Sequence, residues 1–307
     1  MILRLAYAIS LFVGSLAIGW LLGRRGVLTE RSAGRLLRFG VKVLSPAVLM
    51  LLFWRFDLAN WQAFALPALG CAVLFSTCLP AWLYGRLAHL SRPEMGSFLT
   101  CAMFSNVGYL GALIAFALYG ESAYALAALY LVYFSPCFYV VAFTIARRFG
   151  SLDRLEQARS GNSELRLYPV AGLCIGLLLS AAHIPRPASL EWIGHVLIPL
   201  DTTCYLIAIG SQLRLEPMRG IMRHCVAMSA IKFLYTPAIG WLIVWSAHLT
   251  GLTRFVVLLQ TCMPVATSPL MLPVLFGVDR RLANGLWLFT TLLAIPILVF
   301  YVPAILP

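Results

Sequence analysis

Apolar residues along this chain gather into ten runs of roughly 18 to 24 residues, each long enough to cross a hydrocarbon core of about 30 Å. The runs lie near 5–23, 38–54, 63–85, 97–119, 123–146, 167–184, 193–212, 225–248, 255–276 and 283–305, cut by charges, Gly/Pro clusters or polar stretches. This pattern predicts an all-α membrane protein of ten transmembrane helices, with no room for a soluble domain larger than a loop. The only extended polar stretch, "RRFGSLDRLEQARSGNSELR" at 147–166, falls between the fifth and sixth runs and halves the chain.

The halves answer each other. "CLPAWLYGRL" with Pro80 matches "YTPAIGWLIV" with Pro237, and "ALYGES" with Gly120 matches "VLFGVD" with Gly277, both pairs 157 residues apart. Pro46 and Pro199 match at an offset of 153 residues. Five spans per unit is odd, so the second copy enters the membrane upside down, the signature of secondary transporters with a site near the midplane. The expected organisation is a first repeat over 1–146, a cytoplasmic loop over 147–166 and a second repeat over 167–307.

Composition agrees with a membrane protein. The chain is 61% hydrophobic and only 11% charged, with a mean hydropathy of +0.89, where soluble domains carry about 25% charged residues. The net charge of +12 does not point to nucleic acid, because the arginines stand singly between apolar runs instead of forming one basic face. It sets topology. The loops after spans one, three, five, seven and nine hold eighteen Lys and Arg residues, and the opposite side holds four, Arg4, Arg55, Arg186 and Arg254. Positive charge collects in the cytoplasm, so both termini are expected outside and 147–166 inside. The expected location is the plasma membrane, as a multi-pass protein of a bacterial inner membrane. The N-terminal run has one charge before it and two arginines after it, the reverse of a secretory signal, and reads as the first span. All eight cysteines lie in or beside apolar runs without CxxC spacing or a Cys/His cluster, so neither a metal site nor a disulfide framework is expected, and no cofactor.

Two runs carry their own breakers. In "CMPVATSPLMLP", 262–273, three prolines fall within ten residues, and each proline inside a helix costs about 3 kcal/mol relative to alanine. Freed backbone groups in hydrocarbon must find partners, so such a segment belongs against protein or a wet cavity. Its counterpart in the first half is "FSNVGYLGALIAFALYG", 104–120, where Asn106, Gly108 and Gly111 interrupt span four.

With "SNVGYLG" in span four, "MPVATSPLML" in span nine, "KFLYTPAIG" in span eight and ten spans, the chain resembles the auxin efflux carrier family, membrane transport proteins that include the plant PIN carriers and many bacterial relatives. The resemblance covers essentially the whole chain. It implies two inverted five-helix repeats whose helices four and nine are broken where they cross. It also implies a scaffold of helices one, two, six and seven beside a transport unit of the others, and organic anions as cargo, such as auxin or dicarboxylates. Asn106 and Pro264 match the family's crossover positions. Many relatives have proline at the place of Leu113 and often asparagine at that of Ser268.

A broken helix suits an anion, because its second half offers free N–H groups and the positive end of a helix dipole. Around it, Ser105, Asn106, Pro264, Val265, Thr267 and Ser268 are the candidate substrate-binding residues, with Gly108, Gly111 and Pro269 shaping the crossover. The same side chains also fit a purely structural role, capping the broken ends. Lys232 and Asp201 lie deep in spans eight and seven, at roughly 2.5 to 3.5 kcal/mol each for a helix centre. Either Lys232 neutralises a substrate carboxylate and Asp201 carries a coupling proton, or both snorkel to the interface or form a structural pair. Only His195, near Asp201, is placed to join a relay.

The expected function is secondary transport of a small organic anion by alternating access. The alternatives are a cation/proton antiporter or an ion-coupled symporter of similar broken-helix fold, then a membrane-embedded enzyme or a receptor. The antiporter lacks acidic residues at the crossing, and no HExxH, GxSxG or Walker motif favours an enzyme or an ATP-driven pump. The partners expected are the anion and the lipid bilayer, not nucleic acid, with room for a homodimer through the scaffold helices.

Overall fold

The computed structural model describes residues 2–56, 61–150, 167–187, 190–213 and 218–306. Most of the polar stretch 147–166 therefore lies outside the described residues. The described chain is helical: α1 (Ile2–Arg24), α2 (Glu30–Phe39), α3 (Ser45–Phe53), α4 (Trp61–Ser76), α5 (Cys78–Leu87), α6 (Arg92–Met103), α7 (Ala112–Tyr130), α8 (Phe134–Cys137) and α9 (Phe143–Phe149). After the polar stretch follow α10 (Leu167–Ala181), α11 (Glu191–Gly210), α12 (Met222–Ala230), α13 (Thr236–Ser246), α14 (Gly251–Thr261), α15 (Leu272–Phe276) and α16 (Arg280–Ile305). Single wide turns at Gly40–Leu44, Phe138–Ala142 and Ile231–Tyr235 join helices without ending them, and another at Val107–Gly111 leads into α7.

Among the described residues, seven helical segments are long and apolar enough to cross a membrane. They are Ile2–Arg24, Arg31–Phe53, Gln62–Leu87, Val107–Phe149, Trp192–Gly210, Met222–Ser246 and Arg280–Ile305, and Tyr168–Ala181 is a shorter apolar helix. The runs at 97–119 and 255–276 do not form continuous helices, being interrupted at 104–106 and 262–267. Proline alone does not cause this. Pro67, Pro199, Pro296 and Pro303 all sit inside helices that continue through them.

The chain divides into two compact units. The first comprises Met1–Ala63, Gly108–Ala128 and Asn162–Leu213, the second Phe64–Val107, Leu129–Gly161 and Arg214–Pro307. In the first unit α1 packs on α11 and α3 on α10. The contacts are backbone to backbone: a Cβ on Gly19 would meet the Ile207 carbonyl oxygen at 2.2 Å, and one on Gly172 that of Pro46 at 2.2 Å. Lipid tails are as apolar as leucine, so close van der Waals approach through small residues drives this pairing.

The same unit buries an ion pair. Arg186, counted from the sequence as an outer loop charge, has a side chain only 1% exposed, and its Nη1 lies 2.8 Å from Glu121 Oε2. Nη1 also donates to the Leu51 carbonyl at 2.9 Å. Glu121 follows Gly120, whose φ of 68° and ψ of −153° belong to a region essentially restricted to glycine. The turn expected between spans four and five therefore falls at Gly120, where two helices meet with non-helical backbone between them.

In the second unit α16 lies against α6 and α12, and α13 against α14. Both interrupted helices, α6 and α14, end within this unit.

Candidate functional site

Helix α6 begins with a capping box, in which the Ser91 backbone N–H donates to Glu94 Oε2 at 2.8 Å. The Ser91 hydroxyl, with its backbone N–H adding to it, holds the Glu94 carboxyl below its usual range against a smaller upward push from burial. The helix ends at Met103, and Phe104 turns extended at φ −104° and ψ 117°. Helix α14 ends at Thr261, and the chain stays non-helical until a short tight turn at Ser268–Met271. Pro264 has no N–H for a helix and drives the residue before it away from helical geometry.

The two interruptions meet. Ser105 and Val265 form an isolated antiparallel bridge. The Asn106 N–H donates to the Pro264 carbonyl at 2.8 Å, and the Ala266 N–H to the Phe104 carbonyl at 2.9 Å. The Val265 N–H donates to Thr290 Oγ1 of α16 at 3.2 Å. Each break thus supplies what the other lacks, which answers the demand of a low-dielectric surrounding that every backbone group find a partner. The consequence revises the simplest reading of the sequence. The N–H groups of Asn106, Val265 and Ala266 are taken by protein acceptors and are not left for an anion.

What remains free is a side chain. Asn106 is 2% exposed, and its Nδ2 has no hydrogen-bond partner. Lys232 has no exposed surface, and its Nζ donates to the Ala102 carbonyl at 2.6 Å and to Ser105 Oγ at 2.8 Å. Among the described residues no carboxylate pairs with it.

The structure brings Ser105, Asn106, Pro264, Val265 and Lys232 together. Thr267 and Pro269 are buried and Ser268 half-buried at the exit of the second break, where the Leu270 N–H donates to the Thr267 carbonyl at 3.1 Å. Gly108 and Gly111 sit in the wide turn after the first break and count with the first unit. Asp201 is also in the first unit, accepting from the Ser45 hydroxyl at 3.1 and 3.0 Å. Lys232 belongs to the second unit. His195 packs on Phe116, ring centroids 5.6 Å apart, six residues along α11 from Asp201.

Sequence reasoning missed Thr290 and Gln260. Thr290 was legible only as a polar residue in the apolar run of α16. Gln260, in the last turn of α14, is 1% exposed with both amide atoms unpaired, and Trp287 Nε1 and Thr291 Oγ1 on α16 are likewise buried without partners. A glutamine in "VVLLQTCMP" was the available signal.

Residues 161–302 match the membrane transport protein family. Over 291 residues the chain is 22% identical to an uncharacterized transporter of Methanothermobacter thermautotrophicus, covering 91% of each chain. It is also 22% identical over 280 residues to an uncharacterized transporter of Methanocaldococcus jannaschii, covering 87% of this chain and 88% of that one. These matches, with the seven apolar helices, describe an integral multi-pass membrane transporter and not an enzyme.

Proposed function

We propose that the chain carries a small organic anion across the plasma membrane by alternating access, holding it where the two helix breaks cross. The observation that carries this reading is the buried, unpartnered Nδ2 of Asn106 at the meeting of residues 104–106 and 262–267. A buried amide donor left unpaired costs about 1 to 3 kcal/mol, and an acceptor on the cargo removes that cost. Lys232 lends positive charge from behind Ser105, and Thr267 and Ser268 add hydroxyl groups at the exit of the second break. A carboxylate satisfies both demands.

The architecture proposed is ten spans in two inverted repeats. Beyond the sequence matches, three pairs of positive-φ residues support it: Gly26 and His183, Gly120 and Gly277, each 157 residues apart, and His89 and His248, 159 apart. The exchange of partners in the first unit, span one with span seven and span two with span six, is what a two-fold relation requires. That unit holds the proposed scaffold spans, with the addition of residues 108–128. Both termini are proposed to lie outside. An inside-negative potential of 100 mV is worth about 2.3 kcal/mol per charge, so efflux of a monovalent anion runs downhill without a coupling ion.

Purified protein in proteoliposomes, loaded with a panel of radiolabelled mono- and dicarboxylates, tests the reading. Saturable efflux of at least one, lost in Asn106→Leu, is the expected outcome. Absence of carboxylate flux, with flux of a cation instead, overturns it.

A further inference from the structure

In a continuous helix the Ala102 carbonyl would accept from the N–H of residue 106, four positions on. Here the Asn106 N–H is diverted to the Pro264 carbonyl, so the crossing strips Ala102 of its donor. Lys232 Nζ takes that place at 2.6 Å and adds Ser105 Oγ at 2.8 Å. The ammonium therefore sits at the negative end of the α6 dipole, bound by a freed carbonyl and a hydroxyl. It has no exposed surface, and among the described residues no carboxylate faces it. It is delivered by the wide turn Ile231–Tyr235, an irregularity that moves one residue out of helical register. Freed carbonyls at the C-terminal end of a half-helix are the ligands with which broken-helix transporters hold a coupling sodium ion.

We infer that the Lys232 ammonium is a built-in cation, occupying the position at the α6 break that a bound monovalent cation would otherwise fill, so that the crossing is held together without sodium. The side chain brings to this position, through a covalent tether, the ammonium for which a sodium-coupled carrier must collect an ion from solution. This stands whatever the cargo is, because it concerns how the break is stabilised before any cargo arrives.

Thermal unfolding of the purified protein in detergent tests it, comparing sodium, choline and methylammonium chlorides at one ionic strength. The wild-type midpoint should be the same in sodium and in choline. Lys232→Ala should unfold several degrees lower, and methylammonium, which reproduces the end of the missing side chain, should restore at least half of the loss while choline restores none. Lys232→Met, whose apolar arm fills the same space, should lose stability without being restored. A wild-type midpoint that falls when choline replaces sodium overturns the inference, as does methylammonium restoring both variants alike or neither. Should Lys232→Ala fail to accumulate in the membrane, expression in methylammonium should recover its yield, and an unchanged yield overturns the inference equally.

Discussion

Among the described residues an arginine and a lysine are buried, one in each unit, and they are held differently. Arg186 in the first unit has a carboxylate at 2.8 Å, from Glu121. Lys232 in the second has a carbonyl and a hydroxyl. A charge taken out of water is stabilised only by excellent geometry around it, and removing one member of a buried pair strands the other. The Arg186–Glu121 pair neutralises itself and so fastens the Gly120 kink to the end of α3, where Leu51 offers its carbonyl. Lys232 leaves net positive charge beside Asn106. The first arrangement suits a fixture, the second the anion site proposed above.

The sharpest test of the comparison is to strand Arg186. Glu121→Ala should destabilise the protein by about 3 to 5 kcal/mol, read as a lower unfolding midpoint, and an apolar replacement of both partners should recover most of the loss. If Glu121→Ala is silent, the first unit does not depend on its pair. Asn106→Leu should reduce carboxylate binding more than tenfold, at least about 1.4 kcal/mol, with an unfolding midpoint near that of the wild type. A folded Asn106→Leu protein with unaltered affinity removes this residue from the site.

Thr290→Val is milder. It deprives the Val265 N–H of its acceptor and should cost about 1 kcal/mol, measurable as a faster hydrogen exchange at Val265. The smallest effect belongs to Glu94, outside the spans. Its carboxyl titrates below its ordinary range because the Ser91 hydroxyl and N–H bind the ionised form. A carboxyl lowered in the folded state contributes stability above its unfolded value and loses it as pH falls through the folded one. Glu94→Gln should therefore flatten the acid side of the stability profile and leave neutral pH nearly unchanged, a difference read from unfolding midpoints across a pH series.

Much of this was written in local pattern. Apolar runs located the helices, and breakers set in apolar runs located both interruptions, because proline, glycine and asparagine act on the backbone beside them. Pro67, Pro199, Pro296 and Pro303 show the limit, since the same residue type is carried within continuous helices elsewhere. Which polar groups meet was not legible. Lys232 and Ala102 are 130 residues apart and Ser45 and Asp201 156 apart, and one sequence holds no sign of such a pairing. Arg186 looked like a loop charge because "HIPRPAS" reads as a turn, and only tertiary packing makes it a core residue.

The bridge between Ser105 and Val265 has a consequence in time. Residue 264 is made 158 residues after residue 106, which at about 5 to 20 residues per second is roughly 8 to 30 seconds of synthesis. Throughout that interval the first break is in or near the membrane without the native partners of its Asn106 N–H and Phe104 carbonyl, which do not yet exist. The first half therefore cannot finish before the second begins, and the ribosome, by the pace at which it reaches Pro264, sets how long an unfinished crossing must be sheltered.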